Sequence, residues 1–536
     1  MKCGTFPVDD LFVPPGGGME VRMKTGINVG IAGGGMGGIF TGALLANRGY
    51  QVEIFDKNPV PGGYCQAFKR KGYSIHPAVL RIGSESCAKM VEGYCRQAGM
   101  DKLEWSRYTE YYQFGEDIKI NQCTDRMDLE LIRYFPEEKE NIEAFFLEIW
   151  ELYHIMNKVF ENSMTLKGLT GREIEKYIPN ISKTAVQFVE EYFENNLLKN
   201  IILAMLELDD KSVALAIPMT YFEIKGQGEY YVPQGGAYHI ILKCIQIIEA
   251  NGGKVHRNAE VSGISAGNNK VTRMTVNGRE YEFDLIVSGI DINKTYRHLI
   301  GEEYVANKKM LMQLKNKWKI SKSCLSIWIG FDKTLEELGI DYGSVIFYPD
   351  KENVKEIRNI MKTEGESLPE GYWYQCFTAF SRDEMSTPAG KSQMCIGILV
   401  PYDFQNKWWA GEQYKEKKRL LVQRILKDVE KHYPKMKDSY VYVEAATPLT
   451  YERECGNTGG AYLGFEKYQN FVYDRARHQN QGLFDNLFFA GHWVSVIGGV
   501  NGVMQECIKT ANLIMQKYPL CSGMQEYKLF EQQDGA

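Results

Sequence analysis

Neither a disulfide framework nor a zinc site can be drawn from this chain. Its 12 cysteines contain no C-x-x-C pair, and its eight histidines contain no H-x-x-x-H or H-E-x-x-H pair. In a chain of 536 residues, cysteines so dispersed read as reduced thiols in a cytoplasmic setting, with no metal site. Positive charge is not in excess either. The 63 Lys and Arg stand against 68 Asp and Glu, and the net charge of −5 offers nucleic acid no general attraction. A secretory signal is missing, because Phe6-Pro7, Pro14-Pro15 and Gly16-Gly17-Gly18 break up the start of the chain. Residues 1–24 therefore read as a loose leader and 519–536 as a tail. Two uncharged runs, 27–47 and 486–505, come close to the roughly 20 residues of a membrane span. Glycine and strand–turn–helix signals interrupt both, so neither is read as a span.

What is present is a composition that is 44% apolar, enough for a large buried core, in a length that suggests two domains. Residues 27–56 organise the rest. Ile27, Val29 and Ile31 alternate with smaller or polar residues, as in a strand. Gly33, Gly35 and Gly38 then fall at G-x-G-x-x-G spacing, and an Ala/Leu-rich helical stretch over 39–47 stops at Gly49. A second strand over 51–55 ends on Asp56. This order suits a dinucleotide. Gly33 permits the tight turn, Gly35 lets the backbone approach a pyrophosphate, and Gly38 lets helix and strand pack closely. The helix N-terminus offers free N–H groups to phosphate, and Asp56 is placed to accept hydrogen bonds from a ribose.

Further along, Lys57-Asn58-Pro59-Val60-Pro61-Gly62-Gly63-Tyr64-Cys65 reads as a tight loop on the same side of such a sheet. His76, before Pro77, ends a short strand; a structural histidine and one near the cofactor are both open readings. From about 87 to 223 the pattern is mainly helical, with stretches over 140–160 and 184–208 whose apolar residues recur at three and four. Tyr231-Val232-Pro233-Gln234-Gly235-Gly236 precedes a helix over 237–250, then strands over 255–264, 271–276 and 280–287, with Asn277-Gly278 as a hairpin turn. Residues 315–451 mix strands (324–331, 393–400, 440–446) with a charged helix over 411–432. There Lys415, Lys417, Lys418 and Arg419 form either a solvated face or a contact with lipid headgroups. Near the end, residues 483–492 read as turn and strand. A glycine-rich turn over 498–502 and a helix over 503–517 follow, giving a second positive helix end for the same cofactor.

Taken in order, these motifs resemble the flavin-dependent phytoene desaturase, carotenoid isomerase and retinol saturase superfamily, within the amine-oxidase-like flavoproteins. The resemblance runs from Ile27 to Lys517. It rests on Gly33-Gly34-Gly35-Met36-Gly37-Gly38 with Asp56, Pro61-Gly62-Gly63, the 231–236 motif with 255–291, and Phe489-Ala490-Gly491-His492 with Gly498 to Val503. Thr447-Pro448-Leu449-Thr450 and Gly460-Ala461-Tyr462-Leu463-Gly464 add to it. It implies FAD as the dinucleotide and an α/β fold, in which a Rossmann-type FAD-binding domain is interleaved with a mixed α+β substrate domain. The first would comprise 25–86, 224–300 and 481–518; the second, 87–223 and 301–480. It further implies cofactor contacts from Gly33, Gly35, Met36, Gly37, Gly38, Asp56, Lys57, Gly62, Gly63, Tyr64 and Cys65. Val261 would meet the adenine through its backbone, and Gly491, His492, Asn501, Gly502 and Val503 would face the flavin. Three departures stand out. Tyr64 occupies the place of a common arginine, His492 that of a common acid, and Val496-Ile497-Gly498-Gly499-Val500-Asn501 that of a P-G-G-G-x-P loop.

The activity so implied is hydride transfer at flavin N5 to or from a carbon–carbon bond of a long apolar, isoprenoid or polyene lipid, by desaturation, saturation or isomerisation. His492 is the one catalytic candidate, either tuning the flavin or relaying a proton, or else held silently by hydrogen bonds. An amine or amino-acid oxidase and a non-catalytic lipid carrier are the alternatives on this fold. Oxygen, quinone, NAD(P)H or a second protein all remain open as electron partner. The expected setting is cytoplasmic, with peripheral membrane contact as a variant.

Overall fold

The computed structural model describes residues 26–520, apart from 162–164, 209, 211, 223–227, 317–318, 360–371, 401, 403–410, 412, 466–479 and 496–497. The leader, most of the tail and the first two residues of the late glycine loop therefore lie outside the described residues.

A five-stranded parallel sheet runs in the order Leu487–Phe489, Leu285–Ser288, Asn28–Ala32, Gln51–Phe55, Lys254–His256. Its middle strand is buried without a break from Val29 to Ala32, as a strand covered on both faces must be. On one face lie the helices Met36–Ala46, Gly236–Ala250 and Gly499–Lys517, which share an aliphatic core with Val29, Ile31 and Val52. The other face meets an antiparallel three-stranded sheet, Val261–Gly267, Lys270–Val276 and Arg279–Glu282. Three stretches far apart in sequence thus complete one sheet. All described residues of Met36–Ala46 are buried, which is why that helix shows no polar stripe.

A mixed seven-stranded sheet runs Tyr440–Ala446, Ser323–Phe331, Ser392–Val400, Tyr374–Phe377, Ser344–Tyr348, Glu110–Phe114, Ile118–Asn121. Every residue of Ser323–Phe331 is buried. Leu325, Ile327, Ile329 and Phe331 pack under the helix Tyr414–His432, while Cys324 and Trp328 face a second core containing Tyr73, Ile75 and Tyr451. On Tyr414–His432, Lys415, Lys417 and Arg419 are exposed and Lys418 donates to the Ala445 carbonyl at 2.5 Å. A helical layer, Lys139–Glu161, Gly171–Ser182, Ala185–Glu190 and Asn196–Met205, closes over the far end of this sheet. No helix of the described residues is long and apolar enough to cross a membrane.

Five sequence expectations change. The region from 87 onward is not helical throughout: Trp105–Tyr108, Glu110–Phe114 and Ile118–Asn121 are strands. Glu110–Phe114 buries every second residue, a period of two carried by Glu110, Tyr112 and Phe114 and hidden under the helical count. The 184–208 helix is two, Ala185–Glu190 and Asn196–Met205, because Asn195 caps a fresh start by accepting from the Leu198 N–H at 3.1 Å. The 255–264 strand splits into Lys254–His256 and Val261–Gly267, and the 280–287 strand into Arg279–Glu282 and Leu285–Ser288; in each case the two pieces belong to different sheets. The last helix begins at Gly499, not at 503. Val500, Val503 and Met504 already keep helical spacing there, so Asn501 and Gly502 sit in its first turn.

Candidate functional site

The carboxyl edge of the parallel sheet brings most of the sequence candidates together. Gly33 turns out of the first strand at φ 93° and donates its N–H to the Phe55 carbonyl at 2.9 Å. Gly34 donates to Asp56 Oδ2 at 2.7 Å, and Asn58 donates to Asp56 Oδ1 at 2.8 Å. Burial raises the Asp56 carboxyl above its ordinary value, and the Asn58 and Gly34 N–H groups hold part of that back. Gly35 caps the helix Met36–Ala46 with no side chain and no acidic residue in the first turn. A Cβ built on Gly35 meets nothing within 4 Å. Its neighbours are different in kind: a Cβ at Gly37 would stand 2.6 Å from the Ala490 carbonyl oxygen, and one at Gly38 2.0 Å from the Gly33 carbonyl oxygen.

The Pro61-Gly62-Gly63 loop docks on this turn. Gly62 donates to the Gly34 carbonyl at 2.7 Å and forms a parallel bridge with Gly35. Gly62 and Gly63 have φ 134° and 57°, which only glycine adopts freely. Tyr64 and Cys65 follow in a single helical turn, Gly63–Cys65. The Tyr64 hydroxyl lies 2.9 Å from the Gly460 carbonyl and 3.0 Å from that of Ala461, to which it donates. Burial pushes the Cys65 thiol up to about 12, so it is held as a neutral thiol. Lys57 points to the other side, donating to the Arg453 carbonyl at 2.6 Å. Val261 opens the strand two residues after Ala259, whose N–H reaches the Asp56 carbonyl at 2.7 Å.

The C-terminal candidates close the same site. Gly491, at φ 125°, faces Gly37, and Cys507 donates its thiol to the Gly37 carbonyl at 3.4 Å. His492 lies 6.0 Å from the Tyr64 ring, its Nε2 without a hydrogen-bond partner among the described residues. Burial lowers His492 to about 4, so its ring is neutral. Asn501 reaches the Ile82 carbonyl at 3.5 Å through Nδ2, and its Oδ1 has no partner among the described residues.

Several residues of this junction were not singled out as site residues by sequence reasoning. Tyr451 and Tyr462 stand 5.7 and 6.0 Å from Tyr64 and complete an aromatic cluster with His492. Asn457 accepts from Trp493 Nε1 at 2.9 Å, and Asp291 accepts from the Thr458 N–H at 2.8 Å. The signal for Tyr462 was the Gly460-Ala461-Tyr462-Leu463-Gly464 segment, for Tyr451 the Thr447-Pro448-Leu449-Thr450 segment just before it, and for Asp291 the end of the 255–291 unit, all legible as a resemblance but silent on contacts; Asn457 carried none. His76 is buried beneath Phe380, with Nε2 2.9 Å from Ser386 Oγ, which donates to Asp383 at 2.6 Å. Arg81 bridges the fully buried Glu110 at 2.9 Å and Glu207 at 3.0 Å. Burial disfavours the Arg81 charge, but Glu110 and Glu207 more than offset it.

These residues fit a dinucleotide. There is open space before Gly35 at an uncapped helix start, and any side chain at Gly37 or Gly38 would block the close approach of strand and helix. His492 Nε2 and Asn501 Oδ1, both without a hydrogen-bond partner among the described residues, respectively follow Gly491 and lie in the first turn of the final helix.

Comparison with known proteins agrees. The sequence profile of the flavin containing amine oxidoreductases matches residues 36–515. The all-trans-retinol 13,14-reductase of Danio rerio is 24% identical, over 94% of this chain and 88% of its own length. The 4,4'-diapophytoene desaturase (4,4'-diapolycopene-forming) of Methylomonas sp is 22% identical, over 91% of this chain and 95% of its own length. An oxidoreductase structure from Methanosarcina mazei is similar with a TM-score of 0.59 at 16% identity, covering 90% of this chain and 99% of that one. The fold is that of the FAD-dependent amine oxidases, and the cofactor is FAD. The chain belongs to the flavin containing amine oxidoreductases, and within them to the FAD-dependent superfamily of phytoene desaturases, carotenoid isomerases and retinol saturases.

Proposed function

We propose that this flavin oxidoreductase acts on a carbon–carbon bond of a long apolar lipid of isoprenoid or polyene type, by desaturation, saturation or isomerisation. The observation that carries the reading is the aromatic cluster of Tyr64, Tyr451, Tyr462 and His492, none of which is charged at neutral pH. Such a surface suits a hydrocarbon chain. The names of the Danio rerio and Methylomonas relatives, a retinol reductase and a diapophytoene desaturase, support it.

Bound FAD supplies hydride exchange with carbon at flavin N5. In this reading the uncapped start of Met36–Ala46, with Gly35 to Gly38, receives the pyrophosphate. Asp56 takes the ribose, Val261 lines the adenine, and Gly62 to Cys65 hold the turn that Gly35 needs. Gly491, His492 and the first turn of the last helix, Asn501 to Val503, face the flavin. Because Lys57 already serves Arg453, its part is to anchor the loop, not to neutralise phosphate. His492 stays neutral, so it can accept a hydrogen bond at Nε2, or donate one, but does not carry a fixed charge. Residues 25–86, 224–300 and 481–518 form the FAD-binding domain on this reading, and 87–223 with 301–480 the substrate domain.

The test is to identify the released cofactor by mass and absorbance, then incubate oxidised and reduced enzyme with polyene and enoate lipids. Gain or loss of two hydrogens identifies saturation or desaturation, and a changed double-bond geometry at constant mass identifies isomerisation; no change of mass or geometry with any apolar substrate overturns the reading. The same cluster of tyrosines also admits an amine oxidase, which peroxide release on adding amines would reveal.

A further inference from the structure

The aromatic cluster has a charged neighbour. The charges of Arg81 and Glu207 both act on the Tyr462 hydroxyl, and Ile82, the residue after Arg81, meets Asn501 of the last helix through its carbonyl. Arg81 lies deep enough for burial to work against its charge, yet 28% of its side chain is uncovered. A side chain both desolvated and uncovered borders a space inside the protein, not the outer surface. Its two carboxylate partners are held differently. Glu110 is fully buried and fixed: it accepts from Arg81 Nη1 at 2.9 Å, and its other oxygen accepts from Ser344 and Gln375. Glu207 accepts from Arg81 Nη2 at 3.0 Å with half of its side chain exposed. It stands just past the helix Asn196–Met205 at φ 54°, in a place and a conformation that favour glycine.

A carboxylate at a helix C-terminus also meets the negative end of the helix dipole. Backbone and dipole therefore both work against Glu207, and a half-exposed ion pair adds little to hold it. The buried Arg81–Glu110 pair is neutral as a unit, and its guanidinium keeps a second edge on which a carboxylate already sits. Another carboxylate arriving from the cavity would keep the same charge balance, while Glu207 turns to water. An ester or a hydrocarbon has no charge with which to compete for that edge. We propose that Arg81 binds the carboxylate of the substrate in place of Glu207, so that the lipid is a long unsaturated carboxylic acid. The assignment rests on the site being one for an apolar lipid, and it adds the polar end.

The experiment titrates the FAD-loaded enzyme by calorimetry with retinoic acid and linoleic acid, and with the methyl ester of each. An acid is expected to bind at least about tenfold more tightly than its ester, the effect of a charge-assisted hydrogen bond. Glu207→Gln keeps the shape and removes the competing charge. It is expected to tighten the acid about threefold and to leave the ester unchanged. Arg81→Lys keeps a cation on Glu110 but loses the planar fork, and is expected to lose most of the acid's advantage. Ester binding retained in that variant shows that the site still forms. Equal affinity for acids and esters overturns the proposal and leaves the apolar-lipid reading in place. Unchanged acid affinity in Glu207→Gln also overturns it, without any change at Arg81. If none of the four ligands binds, the acid group falls, and turnover of the polyene panel decides the wider reading separately.

Discussion

The two halves of the site are built from different material. The nucleotide side is backbone: Gly33 to Gly38, Gly62, Gly63 and Gly491 approach one another until no Cβ fits between several of them. The opposite side is made of side chains: the Tyr64, Tyr451, Tyr462 and His492 rings, the Arg81–Glu110 pair, and the His76–Ser386–Asp383 chain. A surface of backbone can be satisfied in one way only, whereas a surface of side chains can be rebuilt for a new substrate without moving the sheet. The contrast explains how a chain can share cofactor and fold with relatives at 24% identity or below while its substrate stays a separate question.

The comparison can be broken at several points. The largest effect is expected from Gly38→Ala, whose Cβ would fall 2.0 Å from the Gly33 carbonyl oxygen. A loss of about 4 kcal/mol and a colourless protein are expected, read by urea midpoint and flavin absorbance. Next, Arg81→Met leaves the fully buried Glu110 carboxylate without its cation and is expected to lose roughly 3 kcal/mol, measured the same way. Retained stability there would mean that Ser344 and Gln375, at 2.9 and 3.2 Å, suffice for Glu110.

Acid comes third. Burial lowers His76 and His492 to about 4, below their ordinary 6.5. Between those values the unfolded chain binds protons that the folded chain refuses. Stability is therefore full above pH 6.5 and falls as pH drops toward 4. For His76, 4% exposed, the slope approaches about 1.4 kcal/mol per pH unit. Urea midpoints taken at several pH values across this window check it, and a flat profile would mean that these rings are solvated. Tyr64→Phe should cost about 1 kcal/mol by freeing the Gly460 and Ala461 carbonyls, and should shift the flavin spectrum.

Gly35→Ala is expected to change stability least, within about 0.5 kcal/mol, because its Cβ enters open space at φ −74°. Yet it should weaken FAD binding at least about tenfold, since that space is where the pyrophosphate approaches. Fluorescence titration of the flavin-free protein measures this. Equal loss of stability in the Gly35 and Gly38 variants would erase the distinction between a glycine kept for packing and one kept for a ligand.

Legibility in the sequence follows the same division. The turn at Gly33, the close packing at Gly38, the position of Asp56 and the hairpin at Asn277-Gly278 were readable, because each residue type answers a local backbone demand. The start of the last helix was placed too late for the same reason: Gly498 and Gly499 do turn, at φ 74° and 66°, but Gly502, which looks like more of the turn, is helical and buried with Val500, Val503 and Met504. The side-chain half was nearly mute. Tyr64 meets Tyr451 and Tyr462 across almost the whole chain, and no local spacing announces that encounter. The strand Glu110–Phe114 was lost among helices because what holds it in the sheet is a partner from far downstream, Ser344–Tyr348, and Ile118–Asn121 in turn pairs only with Glu110–Phe114 among the described strands.

The parallel sheet closes with Leu487–Phe489 on one edge, and the helix Gly499–Lys517 then lies against Met36–Ala46. If FAD sits as proposed, its first contacts emerge from the ribosome long before its last ones, and the pocket is complete only once the segment beyond Leu487 is available. Flavin loading in this protein is therefore an event of the finished chain. A chain stopped before Leu487 lacks both that edge strand and the helix packed on Met36–Ala46, so a shorter folded precursor is not expected.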